Sequence, residues 1–518
     1  MSERSCGNAF GRVLGTRRSR LLAGTAVALG AVLAVPGLAS AQVGCGSQGL
    51  TAAGCAYTGF GFFGGQGEPI TSFDISWVDS KTQRKDAIGV ENYYLADRSN
   101  SAVDIIPILH NALMFFLRPA SPFAGATGNN NTAGPNGVMT FLNGTSFAGT
   151  SGAPTIMAGD GPTASPACAA IHEAVCSTVK VWTSNNGTPQ PDIATGTGGG
   201  NTVGINRADE LCYDQADNIV LVANDADSPP FDTFIDTNTM KVIGRLPMDG
   251  TRPIFTGVGN GEGATNGIEQ CQYDSRVGLI YQNIPEVGGD GDDDMPGMVV
   301  VFNPAAVRAN ANNLDAAILT SGEVPLTDCA GPQGMAIGPV GTTQILLGCN
   351  AQTEVGTTPL VGPQNSVIIS NNFGAGLSVM ATLTNQGGSD EVWFEPQPDN
   401  GGNYFLGNAS AIPVQQLGVA TAQGVPAAPV GMTPLQNIFI GFSGSMTTRR
   451  SHSVAGWAGN VAGVTGRQSL AIMPISALGG TPVPFASTIC DAGGVNLLAQ
   501  GCIGIFGAPA GTTVRAAP

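Results

Sequence analysis

A chain of 518 residues with 42% hydrophobic and only 11% charged residues can bury a large core beneath a polar, weakly charged surface. Its 75 Gly and 34 Pro favour many tight turns over long helices. The net charge of −16 weighs against nucleic acid as a partner, since phosphate binding needs a basic stripe, and suits cations, neutral sugars or small organic ligands.

Arg17, Arg18 and Arg20 precede an apolar run from Leu21 to about Leu38, which ends in Ala39-Ser40-Ala41. Basic flank, short apolar stretch and small-residue site predict a secretory signal peptide over 1–41, cut before Gln42. A membrane anchor is the alternative, but the Ala/Gly-rich run with Pro36 makes a poor spanning helix. No later segment approaches the roughly twenty continuous apolar residues needed to cross a bilayer. The expectation is therefore an exported protein, periplasmic or secreted, with no membrane span after cleavage. An N-terminal segment at 42–69, repeats at 70–480 and a C-terminal segment at 481–518 complete the organisation.

Of 11 Cys, Cys6 precedes the cleavage site, which leaves an even set for an oxidising compartment. Local pairs are expected at Cys45 with Cys55, Cys168 with Cys176, Cys329 with Cys349 and Cys490 with Cys502. Cys212 and Cys271 remain, at matching places in neighbouring repeats, each two residues after a Glu. No CxxC occurs and His number only 3, so disulfides are favoured over metal.

Along the mature chain one pattern recurs at roughly sixty residues. A carboxylate or amide opens an alternating strand, a turn follows, a second strand ends in Asp or Asn, and a third begins. The starts, in order, lie at Asp74, Asn136, Glu210, Glu269, Gln333, Glu391 and His452. In the clearest copy, Asp209-Glu210-Leu211-Cys212-Tyr213 leads through Gln215-Ala216-Asp217-Asn218 to Ile219-Val220-Leu221-Val222-Ala223-Asn224. Period-two strands separated by turn residues are the hairpin signature, and a single such sheet cannot bury both faces. Radial packing of the units solves that, so the prediction is all-β: a single β-propeller of seven blades, with six as the alternative, fastened by disulfides.

The segments "LADRSNSAVDII", "LVANDADSPPFDTFIDTNTMKVIGRLPM" and "GMVVVFNP" resemble the YVTN, NHL and gluconolactonase-like group of propellers, in which a strand ends in Ala-Asp or Ala-Asn and the next carries Val-x-Val-Ile-Asp. The resemblance covers most of about residues 70 to 475 and implies the fold; such propellers include lactone hydrolases, lyases and binding modules. It further implies a divalent metal held in the channel by carboxylate and amide side chains.

In a propeller the first strand of each sheet lines the channel, so the repeat openings converge there. Several carboxylates facing one channel repel one another unless a cation, a proton or Arg neutralises them. Hard oxygen ligands suit Ca²⁺ or Mg²⁺. The candidate ligands are Glu210, Glu269, Asn224, Asn283 and Asp74. A metal there could polarise a lactone or ester carbonyl, with Glu210, Glu269 and Glu391 as bases and His452 as an auxiliary base. The acidic loop Asp290-Gly291-Asp292-Asp293-Asp294 is a second place for Ca²⁺. Solvated channel carboxylates and turn-capping Asn side chains are the bland alternative. Two functions follow: an exported module binding a small ligand, metal ion or protein partner at the channel, or a metal-dependent lactonase, esterase or lyase.

Overall fold

The computed structural model describes residues 58–60, 72–78, 92–107, 115–142, 154–183, 187–196, 204–257, 261–291, 296–319, 324–326, 329, 331–339, 341–349, 365–372, 377–384, 389–396 and 402–408, and strands beyond these as backbone. All belong to one compact unit, Ala39–Pro518.

Each repeat folds as an antiparallel meander. The first sheet comprises Phe73–Val78, Asn92–Asp97, Ala102–Pro107 and Phe115–Leu117. The second comprises Val138–Leu142, Pro154–Thr163, Cys176–Thr183 and Ile193–Ala194, with Thr188–Pro189 paired alongside. Leu211–Asp214, Ile219–Asn224, Phe231–Asp236 and Lys241–Pro247 form the third, and Cys271–Asp274, Leu279–Ile284, Gly297–Phe302 and Val324–Leu326 the fourth. The fifth is Pro332–Ile337, Gln344–Cys349, Asn365–Ser370 and Val379–Thr384. The sixth is Ser389–Pro396, Gly402–Asn408, Gln415–Ala422 and Pro434–Gly441. In the last, Ser451–Trp457, Val461–Gly466 and Ser469–Pro474 are completed by Thr58–Phe60 from far upstream, Thr58 lying opposite Ile472. A two-stranded ribbon, Ser487–Ile489 with Ile503–Ile505, follows.

The first strands touch in succession around a ring, and Ser451–Trp457 meets Phe73–Val78 to close it. This is the all-β propeller expected from the repeat. Among the described residues two short α-helices, Pro166–Ala170 and Pro304–Ala309, sit in connections. Among the described residues no helix is long and apolar enough to cross a membrane.

The alternation in sequence becomes wedges of core between sheets, because successive side chains of a strand point to opposite faces. In the third sheet Val220, Val222 and Ile235 pack toward the second, with Met157, Val179 and Val181. Ile219, Leu221 and Phe234 pack toward the fourth, with Ile280, Met298 and Phe302. The hairpin turns repeat too. Asp214 Oδ1 accepts from the Ala216 amide at 2.7 Å, and Asp274 Oδ1 from that of Arg276 at 2.9 Å. Each turn then needs a left-handed residue, supplied by Asn218 (φ 55°) and by Gly278 (φ 73°).

Three of the expected disulfides are formed: Cys168–Cys176, Cys212–Cys271 and Cys329–Cys349. Cys45, Cys55, Cys490 and Cys502 lie outside the described residues, as does the whole of 1–41. Such bonds persist in oxidising compartments and are rare in the cytosol.

The ladder corrects one detail of the repeat alignment. Leu211 lies opposite Val222, and Asp214 opposite Ile219; the corresponding pairs in the fourth sheet are Cys271–Gln282 and Asp274–Leu279. Cys271 is thus the counterpart of Leu211, and Cys212 sits one place further along. A one-residue offset reverses the face. Cys212 therefore faces the fourth sheet while Cys271 faces the third, and that is what lets them bond across the wedge, with Cα atoms 5.5 Å apart. Residues at truly matching places would have pointed the same way round the ring.

Candidate functional site

The segments that lead into the first strands are stitched to the second strands by extra rungs. Asn136 N donates to Gly159 O, Asp209 N to Ala223 O and Glu269 N to Asn283 O, each at 2.8 to 2.9 Å. Asn136, Asp209 and Glu269 are therefore counterparts, and the neighbour of Glu210 by position is Gln270, whose carbonyl accepts from Asn283 N just as that of Glu210 accepts from Ala223 N. Glu210 and Glu269 were expected to match; they are one residue out of step.

Around these lead-ins two buried arginines hold a cluster of acids. The guanidinium of Arg98, from the turn after Asn92–Asp97, pairs with Asp74 and donates to Asn136 Oδ1 at 2.7 Å and Asn130 Oδ1 at 2.6 Å. Asn136 in turn donates to the carbonyls of Ala133 and Ala208, at 3.0 and 2.9 Å. Arg207 pairs with both Asp209 and Asp225. Asp209 Oδ1, on a residue only 3% exposed, has no hydrogen-bond partner.

Beside this lies a second group drawn from sheets that are not neighbours. Gln270 of the fourth sheet donates to Glu391 Oε2 of the sixth at 3.3 Å, and its own Oε1 accepts from the Met335 amide of the fifth. Glu210 of the third interacts with Glu391 as well. Contacts that skip a sheet belong to the channel.

The electrostatics follow from burial. Glu210 is raised well above the usual carboxylate range, first by burial and then by the charges of Glu391 and Asp209. Burial lifts Asp209 to about 7 against the pull of Arg207, with Asp74 and Asp225 adding to the rise. Asp225 is raised for the same leading reason, despite its ion pair with Arg207. Burial would lower Arg207, but Asp209, Asp225, Asp74 and Glu269 outweigh it and hold the guanidinium well above its ordinary value.

Of the sequence candidates, then, Asp74, Glu210, Glu269 and Glu391 come together. Asn224 and Asn283 do other work. Asn224 donates to Thr195 Oγ1 at 2.9 Å and to Ser177 Oγ at 3.3 Å, and accepts from Thr233 Oγ1 at 2.9 Å, which fills the wedge between second and third sheets. Asn283 donates to the carbonyls of Gln333 and Gly334, at 2.8 and 3.0 Å, latching the fourth sheet to the fifth. His452 lies on a described strand, but its side chain falls outside the described residues, as do Asp292, Asp293 and Asp294 of the acidic loop. Among the described residues no group of three or more His, Cys, Asp or Glu is arranged to hold a metal ion.

Arg98, Arg207, Asp209 and Asp225 were not singled out from sequence. Their signal was the juxtaposition "DR" at Asp97-Arg98 and "RAD" at Arg207-Ala208-Asp209 in a chain with only 21 basic residues.

No family model and no curated protein matches the chain. Solved propellers are similar in fold only. Hydrazine synthase of Kuenenia stuttgartiensis is 10% identical with a TM-score of 0.48, over 80% of this chain and 99% of that one. Streptogramin B lyase is 7% identical with a TM-score of 0.44, over 80% and 95%. A provisionally assigned 6-phosphogluconolactonase of Bacteroides uniformis is 10% identical with a TM-score of 0.40, over 76% and 89%. Likenesses this distant carry no argument about activity.

Proposed function

We propose that the chain is an exported propeller of seven blades that binds a cationic ligand at the channel, through Asp74, Asp209, Glu210, Asp225, Glu269 and Glu391. The seven meanders and the closed ring of first strands support the blade count. The N-terminal Arg-flanked apolar run and the disulfides support export. The strand endings Ala96-Asp97 and Ala223-Asn224 support kinship with the YVTN, NHL and gluconolactonase-like group.

The observation that carries the binding reading is the excess of buried acid over base. Five buried carboxyl groups, with the half-buried Glu269 beside them, are gathered around two guanidinium groups, and one oxygen of Asp209 is left without a partner. Such an excess favours protons over charges on part of the set, Glu210 and Asp209 foremost. A cation entering the channel takes the place of those protons. Its binding therefore tightens as pH rises, since fewer protons compete. A metal ion, a small organic cation or a basic side chain of a protein partner all have the required charge.

Isothermal titration of the mature protein with CaCl₂, MgCl₂ and an arginine ester, at about pH 6 and about pH 8, tests this. One binding site is expected, tighter at the higher pH and weakened about tenfold or more in Glu210→Gln/Glu391→Gln. No binding of any probe, or binding that the double variant leaves intact, would sink the reading. Tight Ca²⁺ or Mg²⁺ binding alone would favour the metal-dependent hydrolase, to be followed with lactone and ester substrates.

A further inference from the structure

The first three sheets carry a buried side-chain pair at one equivalent place, the end of the second strand and a position near the start of the third. In the second sheet Asp160 lies opposite Thr178 and Lys180 opposite Ala158, and the Lys180 ammonium is 3.3 Å from Asp160 Oδ2. In the third sheet Asn224 lies opposite Phe231 and Thr233 opposite Val222, and the Thr233 hydroxyl donates to Asn224 Oδ1 at 2.9 Å. Both pairs are complementary: a donor faces an acceptor.

In the first sheet Asp97 lies opposite Ala102 and Asp104 opposite Leu95. The same register therefore brings together two carboxyl groups, diagonal neighbours on one face. Both residues are 0% exposed, and neither oxygen of Asp104 has a hydrogen-bond partner. Two adjacent carboxyl groups, both buried, oppose each other's ionisation, so a single proton on the pair is the favoured state. One proton restores the complementarity, because a protonated Asp104 becomes the donor that Thr233 and Lys180 are in the other sheets.

Asp97 also anchors a turn. Its Oδ1 accepts from the Asn100 amide at 3.1 Å, and its Oδ2 from the Asn100 side chain. The turn closes with Ser101 in the left-handed region at φ 48°, and its second residue is Arg98, which holds Asp74 and Asn136 in the channel cluster. We propose that Asp97 and Asp104 share one proton, and that this shared proton is the positioning device that keeps Arg98 on Asp74 and Asn136.

Burial, and after it the charge of Asp97, pushes Asp104 well above the usual range. Burial raises Asp97 as well, against the bonds from Asn100. Among the described residues, Arg118 is the cation acting on Asp104, and it opposes the rise. The strands of the last sheet, whose first strand adjoins this one, carry one titratable residue, His452. The sign follows from linkage. A folded-state proton bound more tightly than in the unfolded chain stabilises less and less as pH rises from the unfolded value of 3.8 toward the folded one, and nothing is left of it above. Above that point both acids are charged and the turn is pushed open. The inference stands on the pair and the turn, whatever the channel binds.

Hydrogen exchange on the mature protein, corrected for the intrinsic rise of amide exchange with pH, reads the turn directly at Asn100 and Ser101. From about pH 5 to about pH 9 protection in the wild type should fall about tenfold or more, while Asp104→Asn should hold it constant. Asp97→Asn/Asp104→Thr, which installs the pair of the third sheet, should be equally insensitive. Wild-type protection that does not change with pH, or an equal loss in Asp104→Asn, overturns the proposal. So does restoration of wild-type protection at high pH by K⁺ or Ca²⁺, which would put a cation rather than a proton between the acids. Should both variants fail to fold, the wild-type profile with and without those salts decides alone.

Discussion

The wedge between the first and second sheets and the wedge between the third and fourth are built from opposite materials. In the former, Lys180 is wholly buried, 2.9 Å from Asp192 Oδ2 and 3.3 Å from Asp160 Oδ2, among Phe123, Ile156 and Trp182. In the latter, Leu221, Ile280 and Met298 surround Phe234 and Phe302, whose rings meet edge to face at 5.6 Å. A slip of the charged wedge would strand an ammonium among hydrocarbon, at a cost of several kcal/mol. Slipping the apolar wedge would still bury hydrocarbon against hydrocarbon. Charge thus polices the first wedge, while the second has chiefly hydrocarbon and the Gln282–Asp232 pair to set it, and it is there that Cys212 and Cys271 tie the two sheets together.

Removing the ammonium should therefore do the most damage. Lys180→Met leaves two acids buried without a cation and should cost about 3–5 kcal/mol in urea unfolding, more at alkaline than at mildly acidic pH. A loss below about 1 kcal/mol would mean that the wedge relaxes to admit water. Cutting the covalent tie with Cys212→Ala/Cys271→Ala should cost about 2–4 kcal/mol while leaving the folded structure intact, since the apolar contacts remain. If that variant instead melts as two separate transitions, the disulfide is joining units that hardly recognise each other.

A third effect, at most about 1.4 kcal/mol for each pH unit, concerns a buried polar pair in the apolar wedge. Gln282 Nε2 donates to Asp232 Oδ1 at 2.8 Å, while Asp232 Oδ2 and Gln282 Oε1 have no partners, and burial lifts Asp232 to about 8. A proton on Oδ2 can satisfy both orphaned oxygens. The wild type should then lose stability relative to Asp232→Asn as pH rises from 3.8 to about 8, by at most about 1.4 kcal/mol per pH unit, and differ no further above. Parallel pH profiles for the two proteins would show that Asp232 is ionised in the fold.

These contrasts also explain what could and could not be read from residues alone. The meanders were legible because alternation and turn chemistry are local: Asp214 and Asn218 announce their hairpin whatever surrounds it. Pairing of Cys212 with Cys271 was legible too, by elimination, although for an incomplete reason. Aligning the repeats on Glu-x-Cys matched Glu210 to Glu269, and in a strand an error of one residue exchanges the two faces. That error hid Gln270 and Asp209 as the true counterparts. Arg98 and Arg207 escaped because they lie in connecting segments without period, where only the folded chain decides which acid they meet. The fates of Asn224 and Asn283 were equally non-local, since their partners, Thr195 and Gln333, belong to adjoining sheets.

The strand Thr58–Phe60 completes the last sheet against Ser469–Pro474. A ribosome or translocation channel delivers the first of these long before the second. Until residue 474 has emerged, the ring is an open arc with a bare sheet edge at each end, and unpaired edges recruit other chains. For such a molecule the hazardous interval is set by the time needed to thread the whole chain, so slow delivery, more than weak packing, is what would expose it to aggregation.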